Sequence, residues 1–356
     1  MRTNFKQFFW MLVVIAATIG ACSKDDTKVT IDKTALEAKI SEADSLVNNT
    51  VEGTAEGQYQ MGAQAELSAA IDLAKQVDAS TTVTQTQVDN AVTALQAAID
   101  TFQGLKVIPI EPDALVGHWT FDEGTGTTTA DFSGNSRDGT LTAGHANWGA
   151  GTPTWVTDRY GNDAKALHFD KGANVEIPYA TALNPKEMTI ALWVNDDVVD
   201  PIWANNYMVS LNRWNGYKFQ LQSANKAFFT VKVDVDGSAD PAIYDRDNDS
   251  PTLDQGTWYH VAVTLGGGHM IFYVNGTQVK DWDNTPGTGF SIADASVNLT
   301  IGQDLPTSIY STDQNSPYYV DWGGYFIGTL DEVRIFNKAL TSTQIKSIYD
   351  LEKPQN

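Results

Sequence analysis

Residues 258–276 read WYHVAVTLGGGHMIFYVNG. Within Trp258–Leu265 and His269–Val274, apolar side chains return with the short period that is typical of β-strands. Asn275 and Gly276 follow the second run and tolerate the positive backbone angles that a tight hairpin turn requires. The stretch therefore predicts antiparallel strands joined by short turns.

Similar runs occur on both sides of this stretch. In Met188–Val194 nearly every position is apolar, so both faces of that strand are expected to be covered. Further strands are predicted at Leu115–Phe121, Ala166–Phe169, Tyr217–Gln222, Ala227–Val235 and Phe326–Phe336. Many short strands without intervening helices predict a β-sandwich of two sheets over residues 115–356.

The preceding region, residues 32–104, has a helical period instead. Three segments each carry an apolar stripe one face wide, with Thr34 and Glu37 spaced as a capping box in the first and Thr84 and Gln87 in the third. Such stripes must be buried against one another, which predicts an antiparallel three-helix bundle that acts as a spacer. Residues 105–114 contain two prolines and are expected to form a linker.

Composition excludes some classes of function. The 356 residues include 23 Lys and Arg against 44 Asp and Glu, for a formal net charge of -21. Because such a surface repels phosphate backbones, nucleic-acid binding is not expected. Cys22 is the only cysteine, which rules out an intramolecular disulfide and a thiolate zinc site in this chain.

The N-terminus has the pattern of an export signal. Arg2 and Lys6 precede an apolar run, Phe8–Ala21, that is too short to span a bilayer. Ile19–Cys22 resembles the lipobox of bacterial lipoproteins, which implies cleavage of residues 1–21 and a lipid on Cys22. The acidic start of a tether, residues 22–31, resembles a surface-export tag. The resemblance implies a lipid-anchored protein of the outer membrane that faces the cell exterior, with a periplasm-facing location as the alternative.

Four segments occur in an order known from one family: Trp119–Gly126, Asp131–Asn135, Gly256–Ala262 and Gly328–Leu340. Together they resemble the laminin-G-like, concanavalin A-like jelly rolls over about Leu115 to Leu351. The helical region resembles the FIVAR-type modules of bacterial surface proteins. The fold class expected is therefore a multidomain chain, with an N-terminal three-helix bundle followed by an all-β concanavalin A-like jelly-roll sandwich.

The family resemblance implies roles for several residues. Trp119, Trp193 and Trp258 would be core aromatics on strands. A calcium ion, which takes six to eight oxygen ligands, would be held by Asp131 and Asp331. The alternative is that Asp131 forms a turn and that Asp331 pairs with an arginine. An acidic cluster at residues 245–249 is expected to be a solvated loop.

Two stretches that are unusually long for the family carry aromatic residues on loops. We expect the glycan-binding residues to be Trp203, Trp214, Tyr318, Tyr319 and Trp322. Sugar rings have an apolar face that stacks on such side chains, while their hydroxyl groups bond to amides and carboxylates. The alternative is that the long loops bury their own rings as satellite clusters. Lys218, Gln220 and Gln222 share one strand face, which would line an open groove or simply be solvated.

Catalysis is not expected. Glycoside hydrolases with this fold need two carboxyl groups about 5 to 5.5 Å apart for retention, or further apart for inversion. The laminarinase-type pattern that supplies them does not occur in the sequence, and strand alternation predicts opposite faces for Asp331 and Glu332. No histidine lies beside a Gly-x-Ser-x-Gly motif.

Three functions follow from these observations. The first is a surface lipoprotein that captures polysaccharide or oligosaccharide for neighbouring glycan-uptake proteins, anchored to the outer membrane by lipid. The second is a protein-binding or structural component of a surface complex, since aromatic side chains are also favoured at protein interfaces. The third and least favoured is a glycoside hydrolase.

Overall fold

The computed structural model describes residues 30–53, 57–108, 110–198, 206–222, 224–289 and 297–354. The predicted signal sequence, the predicted lipidation site Cys22 and the predicted glycan-binding residue Trp203 lie outside these described residues. The predictions made for them therefore stay predictions.

The N-terminal region is a three-helix bundle, as predicted. Its helices are α1 (Thr34–Asn49), α2 (Ala63–Ala79) and α3 (Gln85–Gly104). The apolar stripes of all three meet in one core, whose buried members include Leu36, Leu67 and Leu95. No helix in the described ranges combines the length and the apolar character that crossing a bilayer requires.

The two predicted capping boxes have different outcomes. Thr84 caps α3 as predicted: the Gln87 N–H donates to Thr84 Oγ1 at 3.3 Å, and the Thr84 N–H donates to Gln87 Oε1 at 2.8 Å. The box at Thr34 is wrong, because Thr34 is already the first helical residue of α1. The N-cap position is occupied by Lys33, whose side chain makes no capping hydrogen bond, and the Thr34 N–H donates to Asp32 Oδ1 at 2.9 Å.

Residues 115–352 contain strands and one terminal helix, α4 (Ser342–Glu352). The strands within the described residues are β1 (Leu115–Trp119), β2 (Thr128–Thr129), β3 (Gly139–Thr142), β4 (Thr154–Val156), β5 (Ala166–Phe169), β6 (Asn174–Ile177), β7 (Met188–Asp196), β8 (Asn206–Leu211), β9 (Tyr217–Gln222), β10 (Lys226–Asp234), β11 (Ala242–Asp247), β12 (Trp258–Gly266), β13 (His269–Val274), β14 (Thr277–Trp282), β15 (Thr288–Gly289), β16 (Leu299–Ile301) and β17 (Gly328–Phe336).

These strands form two antiparallel sheets. The back sheet has the order β14-β13-β12-β7-β17-β5-β4, with β1 also paired to β17. The front sheet has the order β11-β10-β9-β8-β16-β6-β3-β2, with β15 also paired to β10. Asn275 and Gly276 both have positive φ and join β13 to β14, which confirms the predicted hairpin. The predicted jelly-roll sandwich is therefore confirmed.

The main core lies between the two sheets. Trp119, Phe169 and Phe219 are fully buried there, as are the core-facing residues of β7. The other face of β7 is covered by α4, so both faces of this strand are buried as predicted. Trp193 lies on that second face, where its ring stacks on Tyr349 at 5.7 Å.

The three strand tryptophans therefore occupy different positions. Trp119 is a core residue, as the family resemblance implied. Trp193 is buried beneath α4 instead of between the sheets. The prediction for Trp258 was wrong, because this side chain is half-exposed at the first position of β12, where the strand reaches the edge of the core.

Candidate functional site

The long segment between β16 and β17, residues 302–327, folds back over the outer face of the front sheet. It leaves β16 at Gly302, whose φ of +90° lies in the left-handed region that favours glycine. A Cβ atom at this position would lie 2.4 Å from the Phe169 ring. The segment then passes over β8, where the Ser210 hydroxyl donates to the Asp304 carbonyl oxygen at 2.8 Å. We call this segment the long loop.

A buried ion pair anchors the long loop at both of its ends. Arg213 is 2% exposed and Asp304 is 0% exposed. The Arg213 Nε–H donates to Asp304 Oδ2 at 2.5 Å, while the Tyr310 hydroxyl and the Gly324 N–H donate to Asp304 Oδ1, the latter at 3.2 Å. Asp304 and Gly324 stand near the beginning and the end of the loop, so one carboxylate holds both.

The same arginine also holds the middle of the loop. Its two terminal nitrogens donate to the carbonyl oxygens of Pro317 and Tyr319, each at 3.2 Å. The guanidinium carbon lies 5.3 Å from the centre of the Trp214 ring. Arg213 therefore joins the turn between β8 and β9 to the long loop, and it brings together aromatic residues that are a hundred positions apart in sequence.

Four of the five predicted glycan-binding residues lie in this region. Trp322 is the most exposed, at 48%, whereas Trp214, Tyr318 and Tyr319 are half-buried. The rings of Tyr319 and Trp322 meet edge to face, with centres 5.7 Å apart and planes at 89°. The Tyr319 hydroxyl donates to Asp321 Oδ2 at 2.5 Å. We call Tyr319, Asp321 and Trp322 the ring platform.

Two other aromatic residues of the long loop are packed away. Tyr310 and Tyr325 flank the Trp148 ring, with centres 4.9 and 5.3 Å from it. His145 completes the cluster, 5.8 Å from Tyr310. Burial raises the pKa of Tyr310 well above its ordinary value, and the Asp304 carboxylate adds to that effect. For Tyr310 and Tyr325 the alternative prediction, that the long loop packs its own rings into a separate aromatic cluster, is confirmed.

Lys218 and Gln220 share the outer face of β9, as predicted, but this face is partly covered. Lys218 and Gln220 stand opposite Thr230 and Phe228 of β10, on the outer face of the front sheet. Gln220 is only 1% exposed, so it cannot line an open groove. Lys218 is half-buried, with its ammonium 5.3 Å from the centre of the Tyr207 ring. Burial lowers the pKa of Lys218, although Asp245 and Asp304 oppose this.

Asp131, a proposed calcium ligand, organises a turn. Its Oδ1 accepts the N–H groups of His118 at 3.0 Å and Ser133 at 2.9 Å, and its Oδ2 accepts that of Arg137 at 3.0 Å. Partial burial raises the pKa of Asp131, but these hydrogen bonds outweigh burial and hold it below the ordinary value. Both carboxylate oxygens are thus engaged by backbone donors.

Asp331, the other proposed ligand, is buried and ion-paired with Arg159 on the outer face of the back sheet. Arg159 also lies 3.8 Å from Glu332 Oε1. The prediction that Asp331 and Glu332 point to opposite faces was wrong. Glu332 has a φ of 54° at an irregularity in the β17 register, so Leu330 and Val333 both face the core and the two acids share the outer face.

These surroundings do not fit a calcium ion held by Asp131 and Asp331. One carboxylate is filled by backbone N–H donors, and the other is neutralised by a guanidinium. Across the described ranges, no group of three or more His, Cys, Asp and Glu side chains could hold a metal. The acidic cluster at 245–249 is also different from its prediction, since Asp245 and Asp247 belong to the edge strand β11 and Asp247 lies 3.5 Å from Lys226.

Comparison with known proteins gives one family match. The family model described as the concanavalin A-like lectin/glucanases superfamily, of the third laminin G type, matches residues 169–346, half of the chain. No curated protein matches this sequence.

Several solved structures are similar. Domain 4 of AbnA, a GH43 extracellular arabinanase from Geobacillus stearothermophilus solved with arabinotriose, is 19% identical, with a TM-score of 0.47 over 66% of this chain and 98% of that one. The receptor binding domain of botulinum neurotoxin C/D mosaic serotype is 13% identical, with a TM-score of 0.44 over 68% of this chain and 52% of that one. The chain thus spans about half of that neurotoxin domain.

Proposed function

Because the chain belongs to the concanavalin A-like lectin/glucanases superfamily, we propose that its β-sandwich binds carbohydrate at the ring platform of the long loop. The observation that carries the proposal is the Trp322 ring. It is half-exposed, although an indole contributes more apolar area than almost any other side chain and is usually buried. A ring that remains exposed on a firmly anchored loop is available for stacking against a sugar.

The platform is pre-organised, which supports binding. Tyr319 packs edge-on against Trp322, and its backbone carbonyl is held by the buried Arg213. A loop that is already ordered loses little conformational entropy when a ligand arrives. The ring platform therefore combines a buried anchor, Arg213, with a Trp322 side chain that remains 48% exposed, as a binding surface requires.

A polar group beside the rings suits sugar hydroxyls. The exposed Asp321 carboxylate, which accepts the Tyr319 hydroxyl, can accept further hydrogen bonds. The chain carries a net charge of -21, which disfavours strongly anionic glycans at low ionic strength. A neutral polysaccharide or oligosaccharide is therefore the ligand class we propose.

The proposal extends to the setting of the protein. Cys22 would carry a lipid that anchors the chain to the outer membrane, facing the cell exterior, and the helical bundle would hold the sandwich away from the membrane. The captured glycan would pass to neighbouring uptake proteins. The role is binding without catalysis, a view supported by the engagement of both Asp331 and Glu332 with Arg159.

The experiment is a glycan array followed by affinity electrophoresis through gels that contain the polysaccharides bound on the array. The wild-type chain should be retarded, and Trp322→Ala should migrate as in a gel without polysaccharide. Phe132→Ala is the matched control, because Phe132 is also an exposed ring, at 58%, but lies on the loop after β1. It should be retarded like wild type.

Two results would count against the proposal. Equal retardation of Trp322→Ala and wild type would remove the ring platform from the site. An array without signal, together with specific co-purification of a surface protein that Trp322→Ala loses, would favour the protein-binding alternative instead.

A further inference from the structure

The linker between the bundle and the sandwich, residues 105–114, is hydrogen-bonded to both of them. On the bundle side it lies beside the loop that joins α1 to α2. The Gln60 N–H donates to the Leu105 carbonyl oxygen at 3.1 Å. The Val107 N–H donates to the Gln58 carbonyl oxygen at 2.8 Å, and the Val107 carbonyl oxygen accepts a third backbone bond from this loop at 3.2 Å. The first residues of the linker therefore pair with the bundle like an added strand.

Side chains fix this pairing to the core of the bundle. Val107 is buried, and Leu105 packs against the bundle core. Tyr59, which lies opposite the linker in the antiparallel pairing, is also buried. Its ring stacks on that of Phe102 in α3, with centres 4.2 Å apart and planes at 11°. The packed part of the bundle therefore extends through residue 107, beyond the end of α3 at Gly104.

Contact with the sandwich begins at the next residue. The Ile108 N–H donates to Ser347 Oγ of α4 at 3.4 Å. The Ile110 side chain packs against the apolar cluster beneath α4, whose buried members include Ile345 of that helix. Val107 and Ile108 are consecutive, so one residue is bonded to the bundle and the following one to α4.

The end of the linker is fixed to the sandwich as well. After β17, the Asn337 N–H donates to the Ala114 carbonyl oxygen at 2.8 Å, and Asn337 Nδ2 donates to the Asp113 carbonyl oxygen at 3.0 Å. The Ala114 side chain is buried in the cluster beneath α4. Glu111 also forms an ion pair with Lys338, but both side chains are exposed, and such pairs contribute little. Hydrogen bonds and apolar packing therefore hold this end.

Backbone chemistry limits the motion that remains between these anchors. Ile108 precedes Pro109, and Glu111 precedes Pro112 in the sequence. A proline ring fixes its own φ, and it also confines the preceding residue to extended conformations. A linker of glycine and serine behaves as a flexible coil, whereas proline-rich segments act as semi-rigid spacers. The backbone between the bundle and α4 therefore has little freedom to rotate.

We propose that residues 105–114 form a stiff joint, seated on α4, that holds the sandwich in one orientation relative to the bundle. The joint does not depend on carbohydrate binding at the ring platform, so the two properties can be tested separately. If the N-terminus is anchored by a lipid, a fixed joint presents the ring platform at a set height and angle above the membrane. A flexible linker would instead let the sandwich turn in any direction.

The test is a distance measurement by pulsed electron paramagnetic resonance on the full chain. Cys22→Ser removes the native thiol. Nitroxide labels are attached at Asp72→Cys on α2 and Thr140→Cys on β3, two exposed positions that lie in the bundle and in the sandwich. A stiff joint predicts one narrow distribution of distances between the two labels, and a flexible linker predicts a broad one.

Two kinds of variant should broaden this distribution. Ile110→Asp removes the apolar contact of the linker with the cluster beneath α4. The combined Pro109→Gly and Pro112→Gly changes leave that contact in place and restore backbone rotation. Ile243→Asp is the matched control, because Ile243 is an isoleucine of the edge strand β11, far from the linker in sequence, and it should leave the distribution narrow. Far-UV circular dichroism equal to that of the parent shows that each variant is folded.

Trypsin gives a second readout on the chain without labels. Lys106 is exposed, and a lysine in a free linker is a preferred site of cleavage. Because the protease needs a locally unfolded segment, cleavage after Lys106 should be at least about tenfold faster in Ile110→Asp than in wild type, measured by mass spectrometry of the fragment that begins at Val107. The inference is overturned by a broad distribution in the labelled parent, by a distribution that both kinds of variant leave unchanged, or by equal cleavage rates after Lys106.

Discussion

Replacing Arg213, the anchor in the turn between β8 and β9, by methionine should destabilise the sandwich strongly. Methionine has nearly the same length but no charge, so Asp304 would stay fully buried with only the Tyr310 hydroxyl and the Gly324 N–H as partners. Removal of one partner from a buried ion pair costs roughly 3 to 5 kcal/mol. In a domain of this size each kcal/mol corresponds to about 2 to 4 °C, so the melting temperature should fall by roughly 6 to 20 °C.

The assay is reversible urea unfolding, monitored by tryptophan fluorescence, on wild type, Arg213→Met, Asp304→Leu and the double variant. Because the double variant leaves no buried charge unpaired, it should be much more stable than the sum of the single changes predicts. Arg213→Lys should also destabilise the protein, because a lysine cannot reach Asp304, Pro317 and Tyr319 together with one ammonium. A loss below about 1 kcal/mol in Arg213→Met, or strict additivity in the double variant, would refute this account of the loop.

Three further outcomes are expected. Thr84→Ala removes the capping box of α3 and should cost the bundle about 1 kcal/mol, measured by the loss of helical circular dichroism on heating; no change would contradict the cap. His260 is buried, and desolvation, with help from Arg334 and Arg159, lowers its pKa to about 3, so the folded state resists a proton that the unfolded state takes up near pH 6.5. Stability should therefore fall as the pH drops from about 6.5 towards 3, by up to about 5 kcal/mol, and urea unfolding of His260→Gln should lack this part of the pH dependence. Gly302→Ala should destabilise the sandwich, because the left-handed backbone and the nearby Phe169 ring both disfavour a Cβ atom; a melting temperature equal to that of wild type would contradict this.

The architecture could be predicted because its determinants are local and periodic. The alternation in Trp258–Leu265 and the Asn275-Gly276 pair specify strands and a turn without reference to the rest of the chain. The stripes of the three helices likewise specify which faces must meet. The cap of α1 was misplaced by one residue: Thr34 is a good capping residue, but the folded backbone places Lys33 at the N-cap and Thr34 at the first helical position.

Strand faces were predictable only where the pleat is regular. Glu332 takes a left-handed backbone conformation, and this single irregularity turns two adjacent acids to the same side. No glycine or proline lies within three residues of Glu332 to indicate a bulge. Strand alternation therefore does not hold at Glu332, and the prediction that Asp331 and Glu332 lie on opposite faces of β17 was wrong for this reason.

The anchor of the candidate site was not foreseen at all. Arg213 stands in a polar turn next to Trp214, and charged residues in turns are usually exposed. Its burial depends on Asp304, 91 positions later, which no local pattern connects to it. The sequence also could not tell which aromatic residues of the long loop pack inward. Tyr310 packs against Trp148 and Trp322 contacts Tyr319, and these neighbours are set only by the folded loop.

Binding of sugar at Trp322 is measured by isothermal titration of the best glycan from the array into wild type and Trp322→Ala, with both proteins shown to have the same melting temperature. We expect at least a tenfold loss of affinity, about 1.4 kcal/mol or more, from the removal of one exposed ring. Equal affinities in the two proteins would contradict it.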